Sequence, residues 1–182
     1  MKRKNLIHIA IVLSVVLVLL GGTAMALMFR QTNLLTNEFE TAVVDCMVNE
    51  TTDTGSTTAN YKTSIKVENT GNIPAYIRVR FVSYWVDAQD QIVAKASEMP
   101  YIPYDTDAWF QQNDIYYCKT PVAVNGKTPE LLQSGQKILL RVEDGYRQVL
   151  EVFAEAIQSQ PPRAVTTSWG VNVSTDGNLA SP

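Results

Sequence analysis

The segment YKTSIKVENTGNIPAYIRVRFVSYWVD, residues 61–87, alternates apolar and polar side chains on both sides of a short turn. Apolar residues recur at every second position, which is typical of β-strands that bury one face and expose the other. The Asn-Thr-Gly-Asn sequence at 69–72 predicts the turn, and Pro74 marks its exit. We therefore expect two antiparallel strands here, of which residues 75–87 form the longest strand in the chain.

The rest of the chain adds short strands and little helix. Further strands are predicted at residues 38–50, 92–94, 115–124, 138–142 and 147–157, and residues 164–173 close the domain around Trp169. The strand at 147–157 is apolar on both faces, as expected in the middle of a packed sandwich. One short helix is predicted at 128–135, between a Thr128 cap and Gly135. The sequence thus predicts an all-β fold, an antiparallel β-sandwich of jelly-roll type with one short helix, preceded by an N-terminal hydrophobic signal helix.

The N-terminus has the three-part pattern of an export signal. Basic residues 2–4 precede an apolar run at 6–20, which is broken only by one histidine and one serine. Ala24 and Ala26 then supply small side chains at the two positions that a signal peptidase inspects. We expect cleavage after Ala26, which makes Leu27 the first residue of the mature protein.

A retained membrane anchor is the alternative to cleavage. Residues 6–29 carry no charge, and as a helix they would span about 36 Å, enough to cross a bilayer. Gly21 and Gly22 break such a helix just after the apolar run, which favours cleavage. The predicted domain organisation is a signal peptide at 1–26, an N-terminal segment with the first strand at 27–50, the β-sandwich at 51–174 and a flexible tail at 175–182.

Histidine content and charge restrict the chemistry. The single histidine, His8, lies inside the apolar run, so the cleaved protein would contain none. Catalytic triads that use histidine and zinc sites that need imidazole are thereby excluded. The formal net charge is −3, and loss of basic residues 2–4 would make it more negative, which argues against nucleic acid as a partner. We expect no enzymatic activity, no cofactor and no metal.

Cys46 and Cys118 are the two cysteines of the chain. Export would permit a disulfide between them, and two is the right number for one bridge. The alternative is a pair of buried small apolar side chains, which free cysteines often are. Both arrangements stay open at this point, because the separation of the two Cα atoms decides between them.

Residues 98–117 contain many aromatic side chains, and two aspartates, Asp105 and Asp107, lie close together among them. Flat aromatic faces suit stacking on sugar rings. The alternative is an irregular loop that its own aromatic residues hold against the sandwich. Asp105 and Asp107 could likewise offer oxygen ligands to calcium, or simply lie in a solvated loop.

Three segments together resemble one known family. Gly21-Gly22-Thr23 follows the apolar run, Thr36-Asn37-Glu38-Phe39 opens the first strand, and residues 69–79 read NTGNIPAYIRV. The set resembles the TasA and camelysin family of secreted Gram-positive proteins, which a SipW-type signal peptidase processes. The resemblance implies a jelly-roll subunit of the biofilm matrix or cell envelope, and TasA-like members form fibres by donating an N-terminal strand. Camelysin-like members are described as metalloproteases, but this chain has no His-Glu-x-x-His motif.

Four residues before the predicted sandwich would lie on the same face of a strand, because they all stand at odd positions: Leu35, Phe39, Thr41 and Val43. A segment with this pattern can add to an open sheet edge, where main-chain groups await partners. We therefore expect a secreted or cell-surface structural subunit that assembles through this strand. Its partners would be signal peptidase, further copies of itself, and matrix or cell-wall components. The alternatives are that the strand pairs within its own domain, and that the chain is a secreted or membrane-anchored module that binds glycan or protein without polymerising.

Overall fold

The computed structural model describes residue 14, residues 41–54 and residues 59–182. The chain divides into two units, Met1–Thr41 and Ala42–Pro182, and the fold below is that of the second unit. Ser14 is helical, and no helix among the described residues is long and apolar enough to cross a membrane. Several residues of the predicted cleavage site and assembly strand lie outside the described residues: Ala24, Ala26, Leu27, Leu35 and Phe39.

The second unit consists almost entirely of antiparallel strands. Its elements are β1 (Cys46–Asp53), β2 (Ala59–Asn69), β3 (Ala75–Val86), β4 (Ile92–Val93), β5 (Trp109–Gln112), β6 (Ile115–Cys118), β7 (Ile138–Glu143), β8 (Tyr146–Gln158), α1 (Arg163–Trp169), β9 (Asn172–Val173) and β10 (Leu179–Ala180). The first eight strands form one sheet in the order β1-β2-β7-β8-β3-β6-β5, with β4 paired to β3. β9 and β10 pair separately with each other. The predicted all-β class is confirmed.

The large sheet folds over on itself, so that its two halves enclose one core. The halves meet at the β7–β8 turn, where Asp144 and Gly145 both have positive φ and only two residue pairs join the strands. Beyond the turn, β1, β2 and β7 pack against β8, β3, β6 and β5. Both halves contribute to the main core, whose largest fully buried members are Ile65, Val67, Ile77, Val79, Trp109, Leu131, Ile138 and Leu150. The antiparallel sheet is therefore sandwich-like.

β3 shows the alternation that the sequence predicts. Ile77 and Val79 are fully buried in the main core. Arg78 and Arg80 lie on the opposite face, and an Arg78 Nη atom is 2.6 Å from the Glu155 carboxylate on β8. Arg78 thus pairs across the sheet with an acidic neighbour, as opposite charges on facing strands do.

The turn between β2 and β3 is organised by the buried side chain of Asn69. Its Nδ2 donates hydrogen bonds to the carbonyl oxygens of Ile73 at 2.9 Å and Val122 at 3.0 Å. Its main-chain N–H donates to Gly126 O at 2.9 Å, and its carbonyl accepts from the Asn125 N–H at 3.0 Å. One residue therefore joins this turn to the loop that follows β6.

The prediction of a helix over residues 128–135 is wrong. This segment is extended and runs beside β2, where the Thr128 N–H donates to Val67 O at 2.8 Å and the Leu131 N–H donates to Ile65 O at 3.0 Å. The Thr128 hydroxyl accepts the Val67 N–H at 3.0 Å instead of capping a helix. A segment this short gains little from helix formation alone, so pairing with β2 and burial of Leu131 decide its conformation.

The helix lies instead at Arg163–Trp169, where the sequence predicts only that residues 164–173 close the domain. Gly170 ends the helix with a φ of 65°, and its N–H donates to Thr166 O. α1 covers the outer face of the β8–β3 half of the sheet. A second cluster of buried residues forms there, made of Tyr76, Tyr117, Val165, Val171 and Leu179.

Three segment boundaries differ from those that the sequence indicates. The strand predicted over residues 115–124 ends at Cys118. Within the described residues the first strand begins at Cys46, and its pairing with β2 is irregular at Thr51/Thr52. The C-terminal residues 175–182, predicted as a tail, include β10, and Leu179 is only 3% exposed. Its N–H donates to a carbonyl oxygen after β6, so this end of the chain folds back on the domain.

Replacement of Asn69 by alanine should destabilise the domain strongly. The substitution removes three side-chain hydrogen bonds inside a buried turn, and each is worth about 1 kcal/mol or more. We expect the free energy of unfolding in urea to fall by about 3 kcal/mol. Asn49→Ala is the matched control, because the Asn49 amide makes only long contacts of 3.4 and 3.5 Å, and it should change stability by less than about 0.5 kcal/mol. Similar losses in the two variants would contradict this role of Asn69.

Candidate functional site

The chain enters the sandwich through hydrogen bonds to the turn after β2. The Val43 N–H donates to Asn72 Oδ1 at 2.7 Å, and the Asn72 N–H donates to Val43 O at 3.0 Å. The N–H groups of Thr70 and Gly71 both donate to Asp45 O, at 3.1 and 3.2 Å. A Cβ atom on Gly71 would lie 2.3 Å from Val43 O, so only glycine permits this approach. We call these contacts the entry clamp.

Thr41 and Val43 are the described members of the predicted assembly strand. Val43 is 50% exposed, but the entry clamp binds its main chain within its own domain. A segment that pairs with another molecule must therefore end before Val43. This limits the predicted assembly strand to residues up to Thr41.

β1 is an outer strand of the large sheet. Within the described residues its ladder partner is β2 alone. Cys46 and Val48 are half-buried and pack against the main core. β1 therefore presents a partly exposed apolar face and an outer main-chain edge.

β8 has an outer edge because Gln148 separates it from β7. Gln148 Oε1 accepts the Arg141 N–H at 3.2 Å, in the place of a main-chain partner. Its Nε2 donates to Ser83 Oγ at 3.0 Å and to Glu98 O at 2.9 Å, so the buried amide is held firmly. Within the described part of the chain, residues 149–157 consequently pair with β3 alone.

β1 and β8 lie next to each other without sharing a ladder. We call the space between them the seam. On its β8 side, Val152, Ala154 and Ala156 are half-buried and pack against the main core. Two of these three side chains are methyl groups, the smallest apolar side chains. The seam thus has two strand edges beside incompletely covered core residues. A further strand can add to a sheet at edges of this kind.

One end of the seam carries an ion pair between a buried lysine and an exposed glutamate. The Lys62 side chain is 4% exposed, and its Nζ lies 2.6 Å from Glu50 Oε2. A cavity of about 230 Å³, lined in part by Leu140, adjoins this pair. The alternating pattern predicts that Lys62 faces solvent, and this prediction is wrong. The irregularity at Thr51/Thr52 changes which β2 side chains face the core, so that Lys62 faces inward. The Lys62–Glu50 pair forms the polar limit of the apolar seam.

Both cysteines are free thiols in the structure, and only Cys118 is buried as the second predicted arrangement expects. Cys118 is fully buried, and its Sγ donates to Thr120 O at 3.4 Å. Burial raises the pKa of both thiols, and the carboxylates of Asp45 and Glu155 raise that of Cys46 further. Cys46 is half-buried beside the seam, so its reactivity reports on whether the seam is filled.

The structure places the two predicted calcium ligands in a loop, where Asp105 makes hydrogen bonds to the protein main chain. Asp105 Oδ1 accepts the Asp107 N–H at 2.9 Å, and the Asp105 N–H donates to Leu131 O at 2.8 Å. Among the described residues, no three histidine, cysteine, aspartate or glutamate side chains group closely enough to hold a metal ion. The arrangement supports the solvated-loop alternative for these aspartates.

Sequence reasoning missed the seam itself. Ala154 and Ala156 stand out as small residues in a strand of large apolar ones, and they are the one sequence signal that indicates incomplete packing. Comparison of the chain with protein-family models, with curated proteins and with solved structures gives no match.

Proposed function

We propose that this chain is an exported, non-enzymatic structural subunit of the extracellular matrix or cell surface. In this proposal each subunit donates its N-terminal strand to the seam of a neighbouring copy. The domain would be a β-sandwich of jelly-roll type that accepts one further strand between β1 and β8. The observation that carries the proposal is the seam, where two strand edges flank half-buried core residues.

A strand inserted in the seam would gain both hydrogen bonds and apolar contacts. Each main-chain hydrogen bond to β1 or β8 would contribute about 0.5–1.5 kcal/mol. Inward-facing side chains would also cover Val152, Ala154 and Ala156, at about 25 cal/mol per Å² of apolar surface removed from water. Both terms favour a stable assembly.

The segment before the entry clamp has the length and pattern of such a strand. Residues 27–41 would extend over about 50 Å, which is enough to reach an adjacent subunit. Leu35 and Phe39 share one parity and Glu38 and Glu40 the other. An inserted strand would place its large apolar side chains against the two alanines of β8 and leave both glutamates in water.

Export would control this assembly. Cleavage after Ala26 would release the segment that begins at Leu27. An uncleaved apolar run would instead hold the N-terminus at the membrane and restrict its access to a neighbouring seam. Signal peptidase would thus be the partner that permits polymerisation.

The form of the protein that begins at Leu27 should polymerise, whereas a form that begins at Asn37 should fold but remain monomeric. The shorter form keeps the entry clamp and the whole sandwich but lacks Leu35. Light scattering and electron microscopy at rising concentration measure the difference. If the two forms behave identically, the segment pairs within its own domain or plays no part in assembly.

Phe39→Glu in the longer form should abolish polymerisation, because it would place a charge against the apolar seam. Thr36→Glu is the matched control, since residue 36 lies on the opposite parity and would face water in an inserted strand. The critical concentration for assembly, measured by sedimentation, should rise at least about tenfold for Phe39→Glu and change little for Thr36→Glu. Equal effects of the two substitutions would argue against insertion in this register.

Assembly should protect Cys46 from thiol reagents. In a Cys118→Ser background, Cys46 is the one remaining thiol, and it lies half-buried beside the seam. Its modification by a bulky maleimide at pH 8 should slow at least about tenfold on polymerisation, because the inserted strand covers it. An unchanged rate in polymers would place the contact between subunits elsewhere.

A further inference from the structure

An open cleft of about 380 Å³ lies beside the loop between β4 and β5. It is lined by three tyrosines, Tyr101, Tyr104 and Tyr116, and we call it the tyrosine cleft. Tyr104 and Tyr116 pack edge to face, with ring centroids 5.2 Å apart. Tyr101 is 84% exposed, so intramolecular packing does not account for its ring.

Four polar side chains line the same cleft: Thr106, Gln111, Asp114 and Gln133. None of these side chains takes part in a hydrogen bond with another residue in the described part of the chain. They provide a hydroxyl, two amides and a carboxylate, which together can both donate and accept hydrogen bonds. The cleft thus pairs aromatic faces with uncommitted polar groups.

The tyrosine hydroxyls and the carboxylate share one environment. Burial, and after it the neighbouring Tyr104, Asp114 and Tyr101, together raise the pKa of Tyr116 to about 12. All three neighbouring groups therefore act on the Tyr116 hydroxyl. No lysine or arginine lines the tyrosine cleft itself, which disfavours an anionic group bound there.

Tyr101 also lines a second cleft, of about 250 Å³. The second cleft contains Met99 and Pro100, like the first, and reaches Leu139 and Gln148 on the β7–β8 side. Its charged lining residues already have partners: Arg141 lies 3.8 Å from the Glu98 carboxylate, and Lys137 Nζ lies 5.6 Å from the centroid of the Tyr61 ring. Tyr101 is therefore an exposed aromatic ridge between two depressions. A ligand that crosses it would have to be a chain of several units.

We propose that the tyrosine cleft binds a neutral polysaccharide, whose chain crosses Tyr101 into the second cleft. The Tyr101 ring would stack on the apolar face of one sugar. The amides, the hydroxyl and the carboxylate would bind sugar hydroxyls, as the few polar groups of a ligand site do. Gln148 lines the second cleft and also limits the β7–β8 ladder, but the other residues of the two clefts are distinct from those of the seam, so ligand binding here does not require strand donation.

The test is calorimetric titration of the full chain with β-1,3-linked and β-1,4-linked glucose hexasaccharides and with glucose. At least one hexasaccharide should bind, and glucose should bind at least about tenfold more weakly, because it cannot occupy both clefts. Tyr101→Ala should weaken hexasaccharide binding at least about tenfold, whereas Tyr101→Phe, which keeps the ring, should stay within about twofold. An unchanged melting temperature shows that the fold is retained.

Ile92→Ala is the control for loss of an exposed apolar side chain. Ile92 is 72% exposed and lines neither cleft, so its replacement should leave binding unchanged. The proposal is overturned if neither hexasaccharide binds, or if Tyr101→Ala binds as tightly as the unmodified chain. Binding of polygalacturonate, an anionic polymer, more tightly than of either hexasaccharide would also overturn the proposal, in favour of an anionic ligand. Tighter binding of a proline-rich peptide would overturn it in favour of a peptide ligand.

Discussion

The buried amide of Asn69 is the contact on which the N-terminal half of the sandwich depends. Its Nδ2 bonds to two carbonyl oxygens from different segments, and its Oδ1 accepts the Gly71 N–H at 3.0 Å. A buried polar network of this kind is rigid only while every member has its partner. The turn that Asn69 shapes then holds Val43 and Asp45 through the entry clamp. The position at which the chain enters the domain is therefore a consequence of one side chain.

A second buried amide, Gln148, keeps the sheet from closing. It bonds to Arg141 through its side chain, so the β7–β8 ladder ends after two residue pairs and β8 acquires an outer edge. Asn69 fixes the start of β1 beside that edge without providing a strand that pairs with it. The seam results from these two contacts together. An edge of this kind invites additional strands, and natural proteins normally cover it.

The sequence predicted the regular part of the fold well and the irregular part poorly. Alternation identified β2 and β3, and an apolar run on both faces identified β8. It failed at Lys62, where an irregularity in the β1–β2 pairing shifts the parity. It also failed at residues 128–135, where side-chain and main-chain bonds to β2 override good capping residues. The seam could not be predicted, because it depends on the Gln148 amide taking the place of a main-chain partner of Arg141, and no periodicity of side chains indicates such a substitution.

The central claim is that a strand from outside inserts between β1 and β8. Hydrogen exchange on the form that begins at Asn37, with and without the peptide QTNLLTNEFET (residues 31–41), tests it most directly. The account predicts that the peptide slows exchange of amides in residues 149–157 of β8 and in β1, while β5 and β6 remain unchanged. Protection confined to β5, or no protection in β8 at saturating peptide, would contradict it.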